Sequence, residues 1–237
     1  MTSKDEGLGI GMDAAGKEAA SKDGGRGRSI ESDRRKQIII AAVSAIACHG
    51  LHGATNRRIA ERAGISPPTL YLYFENQQDI LCAAMDLVAD RVFQWLGMSS
   101  NPDVIERLRE IGRLHGSFMA AEFEGFVVPS FEFITSAQEL ELRRRWGEKQ
   151  RGFLRAMADM IEEGKAQGTV RQGVDAEVAA WQFIMFAMLE DISRLTGRDD
   201  YITDSTSIKV LDQFLAGIAD EVVNASAESP ETASSKH

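Results

Sequence analysis

The sequence predicts an all-α fold of about nine helices, and three observations predict it. From residue 131 to residue 229 there is no proline at all. No stretch sustains the two-residue alternation of a half-buried strand. Apolar residues instead recur at intervals of three and four, in segments that end on glycine or start behind Ser, Thr, Asn or Asp.

Residues 1–30 are rich in Gly, Ala, Ser, Lys and Asp without apolar periodicity and are expected to be a disordered arm. The first helix covers about 33–48, with Ile39, Ala42, Val43 and Ile46 on one face and Gly50 as its stop. Short helices follow at 56–63 and 67–73, then a longer one at 77–96 that ends at Gly97. Asn101 and Pro102 fit the cap and first position of a helix to 122. The Phe-rich stretch 123–133, broken by Gly125 and Pro129, holds a short helix. Helices at 138–167, 175–196 (capped by Asp175, stopped by Gly197) and 204–224 complete the set, and 225–237 is a solvated tail. Residues 31–80 and 81–224 therefore read as two domains between two tails.

The net charge of −9 does not by itself point to nucleic acid, but its distribution matters more. Residues 31–82 carry six basic and five acidic side chains, whereas the chain beyond them carries 16 and 26. A neutral-to-basic head on an acidic body is compatible with DNA binding, because local charge governs phosphate affinity. No run of eighteen apolar residues is present, so no membrane span is expected. The N-terminus has early acids and no long apolar core, so it is not read as a secretory signal. Cys48 and Cys82 lie in apolar helical contexts and are expected to be reduced core residues, in keeping with a cytoplasmic protein.

Residues 56–73 carry the sharpest pattern. Ile59, Ala60 and Ala63 make the apolar face of one short helix, and Gly64 supplies a left-handed turn. Ser66 caps a second and Pro67 starts it, with Leu70 and Tyr73 facing inward. That spacing is the spacing of a helix-turn-helix. The segment 34–81 resembles the DNA-binding domain of the TetR family of repressors. The matching residues are Ala41-Ala42, Gly50, Thr55, Ile59-Ala60, Ala63-Gly64, Ser66, Thr69-Leu70-Tyr71, Tyr73-Phe74 and Ile80-Leu81. Asn56, Leu72 and Gln77 depart from the family's usual residues.

The resemblance implies a DNA-binding set. Thr55 caps the first short helix and meets phosphate, and Arg57 and Arg58 face the backbone. Ser66, Pro67, Pro68 and Thr69 line the end that enters the major groove, with Thr69 as the foremost base reader. Tyr71, Leu72 and Tyr73 add contacts to phosphate, sugar or thymine methyl, Arg34 and Arg35 clamp the neighbouring backbone, and Gln77 takes the place of a phosphate-binding lysine with a weaker contact. No long side chain of the Arg-to-guanine type lies in the recognition helix, so DNA shape is expected to carry part of the specificity.

Beyond the head, the helices at 175–196 and 204–224 carry wide apolar faces. Val178, Ile184, Met188, Leu211, Phe214, Leu215 and Ile218 are the candidate homodimer interface, forming a four-helix bundle from two copies. His115, Phe118, Met119, Glu122, Phe126, Phe131, Trp146, Phe153, Met157, Trp181 and Met185 are the candidate lining of a pocket for a small hydrophobic or aromatic ligand, with Glu132 as a further polar group. Arg143, Arg144 and Arg145 read as a solvated helical face. The resemblance implies a mechanism in which ligand moves the helix at 77–96 and so the spacing of two recognition helices on a near-palindromic operator. No nucleophile elbow, P-loop, dinucleotide motif or metal-spaced Cys/His cluster is present, so neither an enzyme nor a cofactor is expected. The alternative reading is a DNA-binding or architectural protein without ligand control.

Overall fold

The computed structural model describes residues 23–135, 140–198, 200 and 205–220. Among them are nine α-helices: α1 (Asp23–His49), α2 (Asn56–Ala63), α3 (Pro67–Leu70), α4 (Gln77–Phe93), α5 (Val104–Glu122), α6 (Val128–Ile134), α7 (Leu140–Gln167), α8 (Ala176–Leu195) and α9 (Thr206–Ile218). A 3₁₀ turn, Gln94–Gly97, extends α4, and one turn of π-helix, Phe123–Val127, joins α5 to α6.

Most ends form where the sequence places a cap. The Thr55 hydroxyl accepts from Arg58 N, and Asn76 and Asp175 side chains accept from Asp79 N and Val178 N. Gly64 and Gly197 sit at φ +65° and +69°, the left-handed conformation that closes a helix without a Cβ penalty. Four ends differ from expectation. Helix α1 starts ten residues earlier, inside the segment 1–30 expected to be disordered, because an anchored helix extends without a second nucleation step. Residues 1–22 and the tail 225–237 lie outside the described residues. Helix α5 starts at Val104, with Asp103 rather than Asn101 receiving the first-turn N–H (Glu106 N, 3.1 Å). Helix α3 stops at Leu70 and continues only as tight turns through Tyr73. Helix α9 stops at Ile218, where the backbone leaves to pair with 169–171: Arg171 N donates to Ile218 O (2.9 Å) and Asp220 N to Thr169 O (3.0 Å).

The head packs α1 over α2 and against α4, with Ile38, Ile46, Ile59, Leu70 and Ile80 fully buried. Helix α4 runs from this core into the body, where it meets α6 and α7. The body packs α5 and α7 with α8, and α9 against α5 and α8. Two glycines permit close approaches. A Cβ on Gly112 would lie 2.6 Å from Leu211 Cδ2, and one on Gly164 would lie 2.6 Å from Val170 Cγ2. Cys82 is buried as expected, but Cys48 is exposed, because it falls on the outer side of the last turn of α1.

Candidate functional site

The turn between α2 and α3 is a double closure: Gly64 N donates to Glu61 O and Ile65 N to Ala60 O (3.0 Å). It sets α3 across α2 with Leu70 buried and Pro67 and Pro68 exposed. Ser66 makes no side-chain cap to the backbone. The reason is that prolines fill both first positions and have no N–H, while Thr69 N already donates to Ser66 O (2.9 Å). The Ser66 hydroxyl instead shares a 2.7 Å hydrogen bond with the Thr69 hydroxyl. Asn56 has a defined role as well: its Nδ2 donates to Tyr71 Oη (2.6 Å), tying the start of α2 to the end of the recognition helix.

The cations of the head are less available than their sequence positions suggest. Arg57 pairs with Glu61 (2.8 Å), Arg58 donates to Gly53 O (2.8 Å), and Arg34 donates to Gln37 (2.9 Å). Arg35 lies over the Phe74 ring, 4.6 Å from its centroid. Gln77, expected to meet phosphate, has its Nε2 donating to Ala54 O (3.0 Å), a brace across the head. Tyr73 packs against the core. The outward face carries Thr55, Arg57, Arg58, Ser66, Pro67, Pro68, Tyr71 and Leu72, the last 76% exposed. Within it Pro67, Pro68 and Leu72 make the exposed side of α3 and the turns after it largely apolar.

In the body, α4, α5, α6, α7 and α8 enclose a cavity of about 70 Å³. His115, Met119, Phe131, Trp146 and Phe153 line it as the sequence suggests. The other six expected lining residues are elsewhere. Glu122 forms an ion pair with Arg91, whose guanidinium also stands over Phe118 and Phe126 (5.4 and 6.0 Å). Met157 is sealed in the core, and Trp181 and Met185 point outward from α8 at 50% and 63% exposure. Ile184 and Met188, expected at the dimer face, line the cavity instead. Leu211, Leu215 and Ile218 are buried within the protomer, and Phe214 packs on Phe183 at 5.9 Å. Helix α8 is apolar around most of its circumference, so periodicity alone does not say which stripe faces in.

Sequence reasoning missed the polar end of the cavity. His115 Nδ1 and Glu190 Oε2 share a hydrogen bond of 2.6 Å, both groups being almost fully buried. The edge of the His115 ring meets Trp95, 4.7 Å away. Asp191 also lines the cavity, and Arg194 donates to Gly116 O (2.7 Å). The available signal was the pair Glu190-Asp191 inside an otherwise apolar run from Phe183 to Ile192, facing the single histidine of α5. Glu132, expected as a polar group of the pocket, is turned towards the head. Its carboxylate accepts from Leu51 N (2.8 Å), just past the end of α1. The neighbouring Ser130, Phe131 and Ile134 line the cavity, so one short helix touches both the cavity and the head. The Arg143–Arg145 run is partly engaged, with Arg144 pairing to Glu141 and Arg145 to Glu141 and Asp86. These bonds hold Glu141 well below the usual carboxylate range, at about 2.

A family model described as "Bacterial regulatory proteins, tetR family" matches residues 38–84, and one described as "YsiA-like protein, C-terminal region" matches 85–196. The chain is 30% identical over 188 residues to the "Fatty acid metabolism regulator protein" of Bacillus subtilis (strain 168), covering 77% of this chain and 94% of that one. It is 26% identical over 170 residues to the "HTH-type transcriptional repressor KstR2" of Mycolicibacterium smegmatis, covering 65% and 75%. The crystal structure of the transcriptional regulator FadR from Bacillus subtilis in complex with stearoyl-CoA superposes with a TM-score of 0.62 at 28% identity, over 77% of this chain and 98% of that one.

Proposed function

Because the chain belongs to the TetR family of bacterial regulatory proteins, we propose that it is a homodimeric cytoplasmic repressor released from a near-palindromic operator by a long-chain acyl thioester. One observation carries this reading: α6 lines the cavity with Ser130, Phe131 and Ile134 and grips the end of α1 through Glu132. A cavity of about 70 Å³ is far smaller than the roughly 300–1,000 Å³ of a typical ligand site. A large apolar ligand must therefore select a wider arrangement of α4 and α6, and both helices are fastened to the head. The relative bound to stearoyl-CoA supports the ligand class.

Dimer formation is supported by the outer face of α8. Val178, Trp181, Met185, Leu189, Ile192 and Leu195 form one exposed apolar stripe, and Val210 of α9 stands beside it at 45% exposure. Such a stripe is more than a lone protomer usually leaves in water. This reading moves the sequence-expected interface by part of a turn, keeping Val178 and adding Trp181 and Met185. Among the described residues no helix is long and apolar enough to cross a membrane.

Selection from random duplex DNA, followed by titration of the bound complex with stearoyl-CoA, tests the proposal. Enrichment of an inverted repeat and its release by the thioester are expected. Failure to enrich any repeat at low salt would sink the DNA-reading claim. Two variants probe the parts. Thr69→Ala should relax preference at one base step of each half-site, costing about 1–3 kcal/mol there, with little change on random DNA. Equal losses on both DNAs would reassign Thr69 to the backbone. Glu132→Ala should leave the cavity intact but leave Leu51 N–H without its acceptor, which costs about 1–3 kcal/mol. Operator release should then need more ligand while ligand affinity in the absence of DNA changes little. An unchanged release curve would show that α4 alone carries the coupling.

A further inference from the structure

Resting on the reading that the cavity between α4 and α8 is the ligand site, we propose that Asp191 is a specificity-determining anchor that accepts a hydrogen bond from an uncharged O–H or N–H of the ligand.

The cavity is mostly apolar, yet a carboxylate lines it. Asp191 is 8% exposed, and its Oδ1 has no hydrogen-bond partner among the described residues. Of the polar groups around it Glu190 is engaged by His115 Nδ1, whereas Arg194 gives one terminal nitrogen to Gly116 O and keeps its Nε without a partner among the described residues. A buried acceptor left unmatched is costly, and a ligand made only of methylenes would keep it unmatched. Burial pushes the Asp191 carboxyl up to about 6, partly offset by the nearby imidazole of His115, so at neutral pH it is mainly ionised and can only accept. An ammonium group is a poorer match. The guanidinium of Arg194 and the imidazole of His115 already act on Asp191, whereas a neutral donor adds a bond without adding charge.

In an acyl thioester such a donor has two sources: an amide N–H of the pantetheine arm, or a hydroxyl on the acyl chain. An apolar donor ligand without a thioester would satisfy Asp191 equally. The residue thus sets a selectivity that apolar volume cannot, because a site built around a polar partner discriminates strongly against analogues lacking it.

The test measures binding of matched probes to the full-length protein and to Asp191→Ala and Asp191→Asn. Decanol and decyl methyl ether share an apolar body, but only the alcohol donates. The wild type should prefer the alcohol by about tenfold or more, and Asp191→Ala should erase the preference. Asp191→Asn, which retains shape and an acceptor oxygen, should keep part of it and guards against misfolding of the alanine variant. Equal binding of the two probes to wild type, or a preference that survives Asp191→Ala, overturns the proposal. Stearoyl-CoA, stearic acid and a hydroxystearoyl-CoA then locate the donor. A loss on Asp191→Ala for both thioesters points to the pantetheine amide, and a loss only for the hydroxylated chain points to the chain. If stearoyl-CoA fails to bind while the alcohol preference holds, the thioester reading fails and the anchor stands.

Discussion

Replacing Met185 and Leu189 together with glutamate is expected to leave each protomer folded and to separate the proposed homodimer into monomers. Both side chains are 63% exposed, so charges there face water in the isolated protomer and disturb no internal packing. Facing a second copy across a two-fold axis they would bring four like charges into an apolar seam, where burial and repulsion both oppose association. The consequence for DNA is larger than for the fold. A single head offers a small apolar reading face, and three of its arginines are engaged within the protein. Tethering two such heads makes the second contact intramolecular, so losing the dimer should reduce operator affinity on the order of a hundredfold or more. Sedimentation and operator titration on the same samples check both halves. A variant that remains dimeric would place the interface elsewhere, and a monomer that still binds the full operator tightly would remove the need for two heads.

The head was legible in the sequence because local rules decide it. Thr55, Gly64 and the interval from Ala60 to Leu70 each demand one conformation, and α2 runs over the predicted residues, Asn56–Ala63. Ser66 misled because its capping preference assumes a free N–H two or three residues on, and Pro67 with Pro68 leaves too few. Gln77 misled for a tertiary reason: its partner, Ala54 O, lies across the head, and no spacing rule announces it. In the body, helix number and order were readable, but side-chain facing was not. Trp181 and Met185 on one side of α8, and Ile184 and Met188 on another, are equally apolar. Only packing against α5 and α7 separates them. Glu190 and Asp191 were missed because acids are ordinarily solvated. Their burial depends on His115 and on α6 closing over the cavity, which are long-range facts.

That burial makes Asp191 a measurable liability to the folded state. Its carboxyl is pushed up to about 6 from an ordinary 3.8, chiefly because burial disfavours the charge, with the charge of Glu190 adding and those of His115 and Arg194 opposing. A carboxyl whose folded-state pKa is raised binds its proton more tightly when folded. Stability is therefore fully present below pH 3.8 and is lost as the pH rises through about 6. At neutral pH the ionised group should cost about 3 kcal/mol, since each tenfold change in proton affinity is worth about 1.4 kcal/mol. Asp191→Asn removes the charge with nearly the same shape. It should be more stable than wild type by a large fraction of that amount at neutral pH, and the gap should close towards pH 4. Other groups titrate in the same range, but the difference between the two proteins cancels those that Asp191 does not influence. Denaturant midpoints across the range measure that gap directly. If the variant is no more stable at neutral pH, or the gap widens in acid, then Asp191 is satisfied in the folded protein and is not held ready for a ligand. A stabilised variant whose preference for a donor ligand is also weakened would instead identify Asp191 as a residue that sacrifices stability for recognition.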